Sequence, residues 1–181
     1  MGPRNAIAGT FFLTNYRFMY NQKYGFEFEV YDSIDDLNAP DAVLLKQARE
    51  TAENAYAPYS NFFVGAVAKL ANGETLTGTN QENASYPVTL CAERSLLATV
   101  AAIHPKVPIE TMAITYHNHN QNSDSSHPIS PCGMCRQSLV EYEDRLNHPI
   151  RLILGGFAGK VYIVEKAGSL LPLSFTGKDL L

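Results

Sequence analysis

Three cysteines constrain this chain more than any other feature. Cys91 stands in "LCAERSLL", and Cys132 and Cys135 stand together in "ISPCGMCRQSL". Three thiols cannot all pair within one chain, and a reducing compartment favours metal binding or catalysis over disulfides. Zinc prefers tetrahedral sulfur and nitrogen ligands, and Cys132-x-x-Cys135 bends two thiolates onto one ion. Taken alone, that motif also fits a redox dithiol at a helix N-terminus or two buried thiols with no role. Between Cys91 and Cys132 lie 40 residues, 92 to 131, room for a helix, a strand and a return loop, so that two helix starts can meet over one sheet edge. Three sulfurs delivered this way leave a fourth position open. An open position marks a catalytic zinc, because it can hold a water whose pKa the metal lowers to about 7. A structural site needs another protein ligand, and His127, five residues before Cys132, is the strongest candidate for it among the five histidines.

With 181 residues, 45% of them apolar, the chain suits one well-buried domain. A net charge of -4 lacks the basic footprint that sequence-independent phosphate binding needs, so no nucleic-acid partner is expected. There is no apolar run long enough for a membrane span, and the first residues lack the pattern of a secretory signal. A cytoplasmic protein with no membrane partner is the resulting expectation.

Hydrophobic periodicity supplies the elements. Residues 1–24 show no clear period, and residues 1–40 read as an N-terminal extension with room for an extra strand, ahead of a catalytic unit at 41–181. "FEFEVY", Phe26 to Tyr31, alternates like a half-buried strand. Asn38 and Pro40 open a helix from about Asp41 to Ala55. Phe62 to Leu70 and Thr75 to Thr79 form a hairpin around Asn72-Gly73. Helices are expected from Cys91 to Ile103 and from Cys132 to Leu146, with a buried strand at Ile109 to Tyr116 and a polar loop, "HNHNQNSDSSHP", between them. Strands at Ile150 to Leu154 and Val161 to Val164 are separated only by "GGFAGK", too short for a crossover helix, and should pair antiparallel. The expected fold is α/β, a three-layer α/β/α sandwich on a mixed five-stranded sheet, with both cysteine motifs at helix starts.

Glu93 adds chemistry to the sulfurs. Two residues after Cys91, its carboxylate can reach a zinc-bound water without being a ligand. Cys91-Ala92-Glu93 with Pro131-Cys132-Gly133-Met134-Cys135 resembles the signature of zinc-dependent nucleobase deaminases: three His/Cys ligands, a non-ligand Glu and Pro-Cys-x-x-Cys. "TNQENASYP", "YSNFFVGA" and "LLPLSF" narrow the resemblance to the cytidine deaminase family, the free-nucleoside branch, over about Asp41 to Phe175. The departures are the segment before Asp41 and the long polar loop from Tyr116 to Ser130.

The resemblance implies roles. Cys91, Cys132 and Cys135 would hold one Zn²⁺ per chain, and Arg94 would donate to ligand sulfurs. Glu93 would move protons between water, the pyrimidine ring and the departing amine. Asn80 and Glu82 would hold the ribose hydroxyls, Ala92 would contact the base through its backbone, and Phe62 would pack on the pyrimidine. Phe175 would reach a neighbouring subunit's pocket in a homo-oligomer, with a tetramer expected. Plainer readings stand beside these: a surface ion pair for Arg94, turn chemistry for Asn80, core packing for Phe62. The implied activity is hydrolytic deamination of cytidine and deoxycytidine. Three rivals remain: a deaminase of nucleotides (CMP or dCMP) or nucleic acid, a non-catalytic structural zinc module closed by His127, and a redox protein built on Cys132 and Cys135.

Overall fold

A computed structural model describes residues 20–180; the N-terminal run "FFLTNYRFMY" falls outside them apart from Tyr20. Six strands form one mixed sheet: β1 (Glu29–Tyr31), β2 (Phe62–Leu70), β3 (Thr75–Thr79), β4 (Ile109–Asn118), β5 (Arg151–Gly155) and β6 (Val161–Val164). Their spatial order is β1-β6-β5-β4-β2-β3. Among the described strands only β4 and β5 pair in parallel, and the helix α3 (Gly133–Leu146) carries the chain between them. β5 and β6 pair antiparallel across the short turn between them. The sheet has six strands where five were expected, because β6 would otherwise be an open edge. β1 covers it through Glu29–Ile163, Val30–Tyr162 and Tyr31–Val161.

The other two helices are α1 (Ala39–Ala52) and α2 (Ala92–Ile103). Asn38 starts α1 by accepting from the Asp41 amide at 2.9 Å, with Pro40 in the first turn. Arg151 then grips the Asp41 carboxylate through two hydrogen bonds of 2.8 Å, tying the start of α1 to β5. Strand alternation sorts side chains between two cores. Val67, Ala113, Ile153 and Val161 face Leu44, Leu45 and Ala48 of α1. From β2, Ala66, Ala68 and Leu70 point the other way, into a larger cluster with Leu96, Val100 and Leu139 of α2 and α3. These are the three layers.

Several expected boundaries move: α1 ends at Ala52 and not Ala55, and β5 is Arg151–Gly155, one residue on from the expected span. The strand at Phe26 to Tyr31 shortens to Glu29–Tyr31, with Phe26 and Phe28 exposed. The two rings meet at a tilt, and Phe28 packs at a tilt on Tyr162 with centroids 5.1 Å apart, so ring contact replaces the ladder there. β4 runs two residues past Tyr116 because β2 begins at Phe62, whose partner is Asn118. On β3, Gly78 lets α2 lie close to the sheet: a Cβ there would sit 2.7 Å from the Ala92 carbonyl oxygen and 2.6 Å from the Leu96 nitrogen. That approach fixes the first turn of α2, where Glu93 sits.

Candidate active site

Cys91 is the N-cap of α2 and Cys132 the N-cap of α3, with Cys135 in the first turn of α3. Neither side chain makes a capping hydrogen bond to its helix, so both sulfurs are free for other partners at the positive ends of two helix dipoles. The sulfurs converge: Cys91 to Cys132 is 3.7 Å, Cys132 to Cys135 is 3.5 Å, and all three lie within 4.8 Å of one another. Tetrahedral zinc with bonds of about 2.3 Å separates its sulfurs by about 3.8 Å, so the residues present fit the ion. Cys135 is buried, Cys91 half-buried and Cys132 exposed, which opens the cluster on the Cys132 side. A hydrogen bond from the Cys135 thiol draws the Cys91 thiol down to about 5, against the effect of burial and with help from Cys132 and Arg94, while Cys135 is pushed up in the same exchange.

Glu93 is 5% exposed. Burial raises its carboxyl above the usual range, and the charge on Cys91 adds to the effect. Arg94 donates through Nη2 to the Thr89 carbonyl at 2.9 Å, and among the described residues its buried Nε has no partner. Arg136 braces the other motif, donating to the carbonyls of Pro131 and Leu170 and to the Ser130 hydroxyl.

Cys91, Ala92, Glu93 and Cys132 line a cleft of about 500 Å³. Phe62 and Val64 line it too, with Ser60, Asn80 and Glu82. Asn80 is buried and fixes Phe62 and Val64, accepting from the Val64 amide at 2.8 Å and donating to the Phe62 carbonyl at 2.9 Å. Glu82 accepts from the amides of Tyr59 at 2.9 Å and Ser60 at 3.3 Å, both through Oε2. Desolvation works to raise its carboxyl but is outweighed by the Ser60 hydroxyl and these two amides, and the net shift is downward. Ile129, Ser130, Thr89 and Leu90 also line the cleft. Sequence reasoning missed these four, and Ser60 and Val64 with them, since none carries a chemical signature and only the resemblance of the flanking motifs points to their neighbourhood.

Two further residues named from the sequence lie outside the cleft. His127 is not part of the sulfur cluster: its Nδ1 lies 3.1 Å from the Tyr116 hydroxyl, so the structure gives no support to His127 as a fourth ligand. Phe175 is exposed and lines a groove between α2 and α3, where Gln137 donates to its carbonyl oxygen at 2.8 Å. It does not line its own chain's cleft.

The sequence model described as "Cytidine and deoxycytidylate deaminase zinc-binding region" matches residues 39–146, more than half the chain. A cytidine deaminase of Halalkalibacterium halodurans is 34% identical over 138 residues, covering 76% of this chain and 96% of that one. One from Mycobacterium tuberculosis is 36% identical over 141 residues, covering 76% and 91%. The crystal structure of cytidine deaminase from Burkholderia pseudomallei superposes with a TM-score of 0.63 at 36% identity, covering 74% of this chain and 97% of that one. Motifs, sulfur geometry, fold and relatives agree, and the chain belongs to the cytidine and deoxycytidylate deaminase zinc-binding family.

Proposed function

We propose that this protein is a zinc-dependent hydrolase that converts cytidine and deoxycytidine, with water, to uridine and deoxyuridine and ammonia. One observation carries the reading: a cluster of three sulfurs, two of them lining the cleft, and a buried glutamate share that cleft with Asn80 and Glu82. Cys91, Cys132 and Cys135 hold one zinc per chain. Bound there, zinc supplies the Lewis acidity that makes water a competent nucleophile near neutral pH. Glu93 takes a proton from the attacking water, passes one to the pyrimidine ring nitrogen, and later delivers one to the amine as its bond to carbon 4 breaks. Arg94, beside Cys91, offsets the charge of three thiolates. Phe62 packs on the ring, the Ala92 backbone contacts the base, and Asn80 and Glu82 hold the sugar hydroxyls.

Two features favour the free nucleoside over a nucleotide. None of the residues lining the cleft is Lys or Arg, and a 5′-phosphate about 5 Å from Glu82 meets repulsion on the order of a few kcal/mol at an effective dielectric of 20. The turn from β5 to β6 holds no helix, where the resemblance implies one for nucleotide and nucleic-acid deaminases. A redox role leaves Cys91 and Glu93 without a purpose.

We further propose that residues 41–181 carry the catalytic unit, with 1–40 as an extension, and that the protein works in the cytoplasm as a homotetramer in which Phe175 serves a neighbour's cleft. Among the described residues no helix is long and apolar enough to cross a membrane. Light scattering at four times the chain mass supports the tetramer, and an active monomer contradicts it. For the metal, purified protein should contain one zinc per chain and Cys132→Ala should lose both zinc and activity. A Cys132→Ala variant that keeps both removes the assignment.

A further inference from the structure

The loop from His119 to Ser130 lies outside the family's motifs, yet it is tightly built. The Asn118 amide donates to the Ser125 hydroxyl at 2.9 Å. The Ser125 carbonyl accepts from the Phe157 amide at 2.6 Å, in the turn between β5 and β6. Gly156 and Gly159 of that turn lie so close to the carbonyls of Ser125 and Ser126 that neither position has room for a Cβ. Arg49 holds the same turn from the α1 side, donating to the Gly156 carbonyl at 3.0 Å. A seated loop brings its later residues to fixed places, and two of them, Ile129 and Ser130, line the cleft.

His127 stands at the point where this loop meets the sheet. Tyr116 of β4 is 1% exposed, and its ring stacks on Phe62 with centroids 4.8 Å apart and planes 15° from parallel. Tyr116 lies opposite Val64, so Phe62 is its diagonal neighbour, within reach of an aromatic ring. The phenol hydroxyl lies 3.1 Å from His127 Nδ1 and 3.3 Å from the Asp124 carbonyl oxygen, partners that use one acceptor and its donor. The imidazole also packs edge-on against the phenol ring at 5.6 Å. A chain of contacts therefore runs from the exposed loop, through a buried tyrosine, to the aromatic wall of the cleft.

We propose that His127 is a positioning residue for substrate binding: by holding the Tyr116 hydroxyl it fixes the ring on which Phe62 rests, and with it the width of the slot that takes the base. This rests on the reading of the cleft as a pyrimidine nucleoside site. The loop then contributes no chemistry of its own and acts on binding alone.

His127→Leu keeps bulk and removes the hydrogen bond, His127→Gln keeps a donor, and Tyr116→Phe keeps the stacked ring without its hydroxyl. With cytidine as the probe, His127→Leu and Tyr116→Phe should raise KM about threefold to tenfold, the scale of one aromatic packing contact. Their kcat should stay within about twofold and their zinc content should not change, while His127→Gln stays near wild type. Tyr116→Phe decides the matter if His127→Leu does not fold. Unchanged KM in both, or equal effects of Leu and Gln, overturns the proposal. Wild type that does not deaminate cytidine overturns the functional reading instead. Amide hydrogen exchange at Phe62 and Ile129 then decides for positioning if it quickens in Tyr116→Phe, and against it if it does not.

Discussion

Glu93 and Glu82 line one cleft, and the contrast between them shows how surroundings set the behaviour of a carboxylate. Glu93 is buried in the first turn of a helix packed on the larger core, beside the sulfurs, and burial raises its carboxyl. Glu82 lies in a partly open segment beyond β3, its Oε2 held by two amides, and its carboxyl is lowered. A raised carboxyl exchanges protons within the range where an enzyme works. A lowered one stays an anion and serves as a fixed hydrogen-bond acceptor. On the proposed function, surroundings alone suit one glutamate to proton transfer and the other to recognition.

Substitutions of the two glutamates should therefore fail in different ways. Glu93→Gln should retain zinc and fold while losing kcat by at least about 10²- to 10⁴-fold, and by more because one carboxylate makes several transfers; near-normal turnover would remove the proposed mechanism. Glu82→Gln should act mainly on KM for cytidine, raising it about 10- to 100-fold, the scale of a charged hydrogen bond. A loss confined to kcat would dissolve the contrast. The smallest effect is one of pH. Because the Glu82 carboxyl lies below its usual value, it stays ionised as pH falls from 8 to 5, and the KM ratio of Glu82→Gln to wild type should stay level over that range. Protonation reaches Glu82 only below its lowered pKa, so a ratio that collapses between pH 7 and pH 5 would show that its environment does not hold it as an anion.

The sulfur cluster was legible in the sequence because it uses rare residue types at fixed spacing and because helix starts are marked locally. Cys91 and Cys132 fall at N-caps as the periodicity of the following segments required. β2 and β3 begin and end where their patterns do. Other features depend on distant partners. The Phe26–Tyr31 alternation satisfies its apolar residues by ring contact with Tyr162, a residue on another strand. The polar loop has no period, and its seat is a pair of glycines some thirty residues further along the chain. Ile129 and Ser130 enter the cleft only because that seat exists, and His127, the candidate fourth ligand on spacing, is drawn instead to Tyr116.

The most direct test of the account is ammonia release from cytidine, deoxycytidine, CMP, dCMP and adenosine at matched concentrations, using zinc-loaded protein. Cytidine and deoxycytidine should be deaminated. CMP and dCMP should be poor because Glu82 and a cleft wall without cations meet the phosphate, and adenosine should fail because a slot bounded by Phe62 fits one ring. CMP turned over faster than cytidine would contradict the free-nucleoside reading and put a nucleotide deaminase in its place.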